Sequence, residues 1–446
     1  MRPHMTVTVS LIWIAIICVP ALLDGETLTL QQAIANAEAN NRAIRAADLE
    51  HAKAVAEVNA VRTYRRPVFS VIALGSQSLA HLGLTFPPGS LGVYPGVGPI
   101  PGKQTTLTDP LQPAGIFYAS VAQPLSQQHK IGLGIQLAQV GAKIAEENIR
   151  AKQQTTVDEI RRLYYAILGV ESGRRSLRAT LDFLTQLDQD TGRNVVQRVA
   201  LQADSLDVKA QLAQTEYQLL KLEDPIETQK EQLNRLMGRE PDTPFDVDAA
   251  GATDFALPDL KQAYARAIES RPETRLARLQ AKRAELDRRL KAAERIPDVS
   301  LAMTTVAAVN LSDVLPNRFG VVGLQFNWDV YDWGRKKKQV EEKRLAEQQA
   351  TLDVKDTEAQ IIIELAHQYR KLIEARKEVQ TAQASQSATR ELLRVTRNRY
   401  EQRDVMLSDV LKVQSGQAEA DNRFTQALLN LATAQADFEK AVGEDQ

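Results

Sequence analysis

The sequence predicts an α+β protein made of one unit written twice, each unit a set of long, coiled-coil-like helices interrupted by a β-hairpin. Three observations carry this expectation. Landmarks recur down the chain at fixed offsets, most of the length has helical periodicity with few breakers, and two regions switch to the period-2 alternation of strands. Composition agrees. Of 446 residues, 43% are hydrophobic and only 5% aromatic, a balance typical of long helices rich in Ala, Leu, Gln, Glu, Arg and Lys. The formal net charge of −1 gives no bulk electrostatic case for nucleic acid or for an anionic membrane surface.

At the N-terminus, Arg2 and His4 precede an apolar run, Leu11 to Val19, which leads into Pro20, Ala21 and the turn Asp24-Gly25. Such a run is too short to span a bilayer, so residues 1–25 read as a secretory signal peptide. The single cysteine, Cys18, lies inside it, and Ile17 stands where a lipid-attachment site wants a small residue. The exported remainder is expected to lack thiol, disulfide and Cys-ligated metal.

The repeat is read from matched segments. LTLQQAIANAEANNRAIRAA, from Leu28, resembles LPDLKQAYARAIESRPETRLA, from Leu257, at an offset of 230 that also carries Pro67 onto Pro297. Further on the offset is 205, carrying Gln197 onto Gln402, Asp204 onto Asp409 and Gly238 onto Gly443. The difference falls in one place: the 58 residues from Pro67 to Pro124 answer to 33 from Pro297 to Asp329. The first repeat therefore covers 26–240, with a helix over 28–66, a hairpin over 67–124 and helices over 130–198 and 204–238. A linker or equatorial segment, 241–256, leads to the second repeat, 257–446. Its elements are a helix over 257–296, a hairpin over 297–329 and helices over 335–402 and 408–442.

Each element has a local reason. Pro67 and Pro297 end the opening helices. FGVVGLQFNWD alternates Leu324, Phe326 and Trp328 against Gln325, Asn327 and Asp329, the signature of a strand with one apolar face. VSLAMTTVAAV, VFSVIALGSQ and GIFYASVAQ supply its partners. Gly83 to Pro113 holds seven Pro and six Gly, which predicts an irregular surface loop. Ile361, Leu365, Gln368, Leu372 and Val379 form a helical stripe. From Arg335 to Val442 there is no proline, and Gly416 is the only glycine. Helices of roughly 70 and 35–40 residues measure about 100 and 55 Å. A long helix therefore needs two short ones end to end to cover it. The matched segments VVQRVALQADSLDV and YEQRDVMLSDVL then fall at the turns farthest from the strands.

Four strands cannot close a membrane barrel, whose smallest examples use about eight, and open edges are forbidden in lipid. Strands in an exported chain that enter a membrane imply an outer membrane and several copies. The LTLQQAI…ANN opening, QPL after the first hairpin, RYEQRDVMLSDVL and the Gly closing each repeat resemble the TolC family of outer-membrane efflux proteins. The resemblance covers essentially the whole exported chain. It implies a homotrimer with a twelve-stranded barrel in outer-membrane lipid, continuous with a twelve-helix periplasmic barrel. It also implies a periplasmic adaptor, an inner-membrane pump and no cofactor. The implied role is a passive exit duct of a tripartite efflux or type I secretion system.

Residues carry over by position. The resemblance places Asp204, Tyr400 and Asp409 at a periplasmic aperture, with Lys412 where relatives often have a second aspartate. A Lys412 ring would offset the pull of an Asp409 ring on cations. Arg198, Val199, Ala200, Leu201, Arg403, Val405, Met406 and Leu407 are the implied docking tips. Arg198 and Arg403 replace glycines that reach positive φ easily. Leu324, Phe326 and Trp328 are expected toward lipid, and Trp333 at the interface beside Arg335-Lys336-Lys337-Lys338.

Enzymatic chemistry is not expected. The five histidines are scattered without HExxH spacing, and no GxSxG, phosphate loop or helix-opening GxGxxG appears. The competing reading is an exported coiled-coil scaffold without a pore. It has no use for the alternation around Phe326.

Overall fold

The computed structural model describes residues 26–77, 79, 83–108, 113–198, 201–248, 259–310, 317–402 and 404–443. The signal-peptide reading and Cys18 lie outside them. In the first repeat the elements are β1 (Glu26–Leu28), α1 (Leu30–Asn40), α2 (Arg42–Thr63), β2 (Val68–Gln77) and β3 (Gly83–Phe86). There follow β4 (Val93–Tyr94), β5 (Gly98–Pro99), β6 (Thr105–Thr108), β7 (Pro113–Pro124), α3 (Gln128–Val196) and α4 (Gln202–Leu236). After β8 (Phe245–Val247), the second repeat holds α5 (Leu260–Ser270), α6 (Pro272–Ala293), β9 (Asp298–Val309) and β10 (Arg318–Asn327). It ends with α7 (Arg335–Glu401) and α8 (Leu407–Val442).

Contacts divide the chain into two units. The first contains 26–41, 157–248 and 375–433 among the described residues. Its core gathers Leu28, Ile160, Tyr164, Ile167, Leu233 and Phe245. The segment expected as a linker or equatorial segment supplies β8, which pairs in parallel with β1, Leu28 against Val247. The Tyr164 hydroxyl lies between two backbone carbonyls of this pair, 2.9 Å from Leu28 O and 2.8 Å from Asp248 O. Burial pushes its pKa up to about 12. Thr29 and Gln32 start α1 with a reciprocal capping box, which satisfies two otherwise orphaned backbone groups.

The opening helix expected over 28–66 is broken at Asn41, whose backbone is extended at φ −61°, ψ 126°. The cause is tertiary. The Asn41 amide donates to Leu236 O at 2.8 Å, and Gly238, at φ +72°, closes in on the Asn40 carbonyl. A Cβ at Gly238 would lie 2.5 Å from that oxygen, so only glycine fits.

The second unit contains 42–156, 259–374 and 434–443 among the described residues. Here the helix expected over 257–296 breaks at Arg271, φ −63°, ψ 133°. Pro272 follows it and disfavours helical backbone at the residue before. The repeat relation holds in detail. Gly443, matching Gly238, sits at φ +80° against Ser270 and Arg271, the counterparts of Asn40 and Asn41. Arg271 is buried. It donates through Nε and Nη2 to Glu273 at 3.1 and 3.0 Å, and through Nη1 to Glu364 at 2.7 Å. Burial opposes its charge, yet these carboxylates hold its pKa above the ordinary value. Within α7, Ile361, Leu365 and Leu372 are buried as their spacing predicts, whereas Gln368 and Val379 are half-buried.

Both hairpins join one antiparallel sheet in the order β10-β9-β7-β2. The β2–β7 insertion departs from expectation. It contains two short ladders, β3 with β6 and β4 with β5. Thr85 and Thr106 exchange a 3.0 Å hydroxyl contact across the first. Proline and glycine fall mainly between these ladders and at the β4–β5 turn, where they do not interrupt pairing.

Candidate functional site

Two surfaces hold the expected functional residues: the ends of the long helices in the first unit and the sheet in the second.

At the helix ends, a buried cluster joins the two repeats. Leu184 and Leu187 of α3, Val208 of α4, and Leu407 and Leu411 of α8 pack together, with Phe183, Leu212 and Tyr400 against them. Leu407 is thereby a correction to the expected docking set, because its side chain is committed to this core. Leu201 and Met406, matched at offset 205, are by contrast 70% and 75% exposed. Val405 is half-buried and Arg198 exposed, while Val199, Ala200 and Arg403 lie outside the described residues.

The matched aspartates have a local function that the sequence did not reveal. Asp204 Oδ2 accepts from Leu201 N at 3.2 Å, and Asp409 Oδ2 accepts from Met406 N at 3.1 Å. Each carboxylate thus caps the first turn of its helix and favours the positive end of the dipole. Recurrence of Asp in both repeats therefore has a cause in the helix starts themselves, before any role at an aperture. Asp204 also bears on Tyr400. Burial raises the Tyr400 pKa first, and the charges of Asp204 and Asp190 raise it further. Lys412 is exposed one turn beyond Met406's helix start.

The turn after α3 keeps the backbone a glycine would favour. Arg198 has φ +58°, at a cost on the order of 1 kcal/mol. Its N–H donates to Val195 O at 3.0 Å. After α7, Asp404 N donates to Arg399 O at 2.9 Å, the long closure common at helix C-termini.

In the sheet, pairing register sorts side chains by face, since directly opposed residues share a side. Leu324 opposes Leu301, Val322 opposes Met303, Met303 opposes Val121, and Val121 opposes Phe69. With Phe326, Phe117 and Val71 these form one apolar face, and all except Val121 are exposed. The other face is more polar. Ser70 and Ser120 are 2.7 Å apart, and Tyr118 reaches Thr304 at 3.5 Å. Trp328, just beyond β10, contacts Phe326 edge-on with ring centroids 6.2 Å apart. Among the described residues the outer strands β2 and β10 each pair with one neighbour, leaving two edges of backbone N–H and C=O groups. No group of metal-ligating side chains occurs among the described residues.

Comparison with known proteins gives a consistent picture. A family profile described as Outer membrane efflux protein matches residues 33–239 and 263–444, one block in each repeat. The Campylobacter jejuni CmeC outer membrane channel superposes with a TM-score of 0.77 at 14% identity, covering 93% of this chain and 85% of that one. The Vibrio cholerae outer membrane protein VceC gives 0.73 at 16% identity, covering 93% and 96%. The open-state Neisseria gonorrhoeae MtrE outer membrane channel gives 0.68 at 15%, covering 93% and 88%. At these identities the likeness is one of fold. No protein of curated function matches the chain by sequence.

Proposed function

The chain belongs to the outer membrane efflux protein family, and from that premise we propose that it is the outer-membrane exit duct of a tripartite efflux or type I secretion assembly. The observation that carries the proposal is the sheet. Four strands with an exposed apolar face and two unpaired edges are unsuited to water and incomplete in lipid, where each unsatisfied backbone group costs several kcal/mol. Three copies joined edge to edge, β2 of one to β10 of the next, make a closed twelve-stranded barrel. The apolar face carrying Phe69, Leu301, Leu324 and Phe326 then turns to lipid, with Trp328 at its margin. The face carrying Ser70, Ser120 and Thr304 lines the lumen.

At the other functional surface, Asp204, Tyr400, Asp409 and Lys412 belong to the periplasmic aperture, and exposed Leu201 and Met406 meet the adaptor. Arg198, Val199, Ala200, Arg403 and Val405 flank that contact. An inner-membrane pump supplies the energy, and the duct itself performs no chemistry.

The test is inter-protomer closure. Paired cysteines, one on β2 and one on β10 of the same otherwise thiol-free exported chain, should form disulfide-linked trimers in outer-membrane fractions when the two positions meet across the protomer boundary. The purified protein should migrate as a heat-modifiable barrel and conduct ions in planar bilayers. A soluble periplasmic protein without conductance would instead support the scaffold reading and end this one.

A further inference from the structure

The segment between β10 and α7 has a composition that its own folding does not require. Val330, Tyr331 and Trp333 are 74%, 72% and 84% exposed, with the Tyr331 and Trp333 rings 5.1 Å apart. Trp333 adopts φ +51°, an unusual backbone for a bulky residue. The turn is held by Asp332, whose carboxylate accepts from Gly334 N at 3.0 Å and Lys336 N at 2.9 Å. That carboxylate already satisfies the start of α7. The following run, Arg335-Lys336-Lys337-Lys338, opposes the helix dipole. Asp329 answers part of it, lying 3.2 Å from Lys336 and 3.6 Å from Arg335. Lys337 and Lys338 remain exposed, and Lys337 has no ion-pair partner among the described residues.

The first repeat provides a built-in control. Its matching junction, Ser126-Gln127-Gln128-His129-Lys130, also passes from strand to helix, by a shorter link and with a single lysine, which pairs with Asp298. The fold therefore does not need the cation run. Cations also gather at the other junctions on this end of the sheet: Arg65 and Arg66 before β2, and Arg295 before β9. Residues 64–67, 124–131, 294–300 and 327–338 together hold eight cationic and four acidic side chains. They give a local excess of positive charge in a chain whose net charge is −1.

We propose that the β10–α7 junction binds the phosphate headgroup of an anionic phospholipid, with Lys337 and Lys338 on the headgroup and Tyr331 and Trp333 in the adjoining interface. The occupant follows from the order of chemistry along the chain. An apolar sheet face (Val322, Leu324, Phe326) passes into exposed aromatics and then into exposed cations, which is the sequence of environments met on leaving a bilayer. A basic segment beside an apolar surface favours an anionic lipid over a soluble partner, since lipid satisfies both halves at once. The proposal rests on the sheet entering a membrane, as argued above.

The full-length protein would be purified from membranes and placed in phosphatidylethanolamine vesicles containing or lacking phosphatidylglycerol. Lipid retained after detergent exchange would be counted by native mass spectrometry. Wild type should retain phosphatidylglycerol selectively. The Lys337→Gln/Lys338→Gln variant, which leaves the Asp329 pair and Asp332 turn intact, should lose roughly tenfold or more of that retention. Lys337→Arg/Lys338→Arg should keep it. Equal retention by wild type and the Gln variant, with barrel mobility and conductance preserved, would overturn the lipid site and leave the duct reading standing. So would unchanged retention accompanied by weakened adaptor–pump assembly, which would assign the cations to a protein partner. Failure of wild type to insert into either vesicle would overturn both readings.

Discussion

Replacing Gly238 with Ala separates two costs that usually come together. At φ +72° a side chain meets the left-handed penalty, about 1–2 kcal/mol. The new Cβ would also lie 2.5 Å from Asn40 O and 3.0 Å from its carbonyl carbon. Those are backbone atoms, fixed by the last turn of α1, so overpacking adds a further ~1–3 kcal/mol. Gly334→Ala isolates the first cost, because Gly334 has φ +79° with nothing within 4 Å of its Cβ position. Gly443→Ala should fall between. Its nearest neighbour is the Ser270 hydroxyl at 2.6 Å, with Arg271 N at 3.2 Å. Ser270 can shift only by giving up hydrogen bonds to Arg266 O and Val442 O. Thermal unfolding of the detergent-solubilised protein, followed by helical circular dichroism, should rank the variants 238, 443, 334 from least to most stable. The ranking is the readout, since a chain of two units need not unfold in two states. Gly334→Ala as damaging as Gly238→Ala would show that dihedral strain alone governs these sites. A wild-type-like Gly238→Ala would refute the close approach itself.

Other expectations concern charge. Arg271→Gln should destabilise by about 1–3 kcal/mol by stranding Glu273 and Glu364, and the added change Glu364→Gln should recover part of the loss. Arg271 holds the Glu273 pKa low against burial, which would raise it. The stabilisation from this pair is therefore present above the unfolded carboxyl pKa and lost as pH falls through the folded one, so acid should narrow the gap between wild type and Arg271→Gln. Tyr164 works in the opposite sense. Its pKa rises from 10.0 to about 12, so its contribution is full below pH 10 and disappears as pH climbs through about 12. Tyr164→Phe should be less stable at neutral pH and lack that alkaline loss. Asp409→Ala should lose about 1 kcal/mol of helix start, seen as faster hydrogen exchange in the first turn of α8. Asp409→Asn, which keeps an acceptor, should lose less. In single-channel recordings Lys412→Asp should strengthen cation preference, and unchanged selectivity would remove Lys412 from the aperture.

Much of this protein was legible in its sequence because the signals are local or repeated. The duplication, the long helices and the strand alternation each appear in a few tens of residues. The break at Arg271, missed in the continuous helix expected over 257–296, did have a local signal, since Pro272 restricts the residue before it whatever the tertiary setting. The break at Asn41 has no such local cause. It follows from an amide bonded to Leu236 and a glycine pressed on Asn40, contacts between residues nearly two hundred positions apart. The same distinction separates the sites. Exposed Met406 and buried Leu407 are adjacent, and only the packing of four helix ends decides which side chain is available. Asp204 and Asp409 recur in sequence, but the backbone N–H groups they cap are fixed by the turns, not by the spacing. That Leu324 and Phe69 share one apolar face across four strands depends on register. Alternation within a strand sets which residues face together, and only the pairing of β10, β9, β7 and β2 joins those faces into a surface.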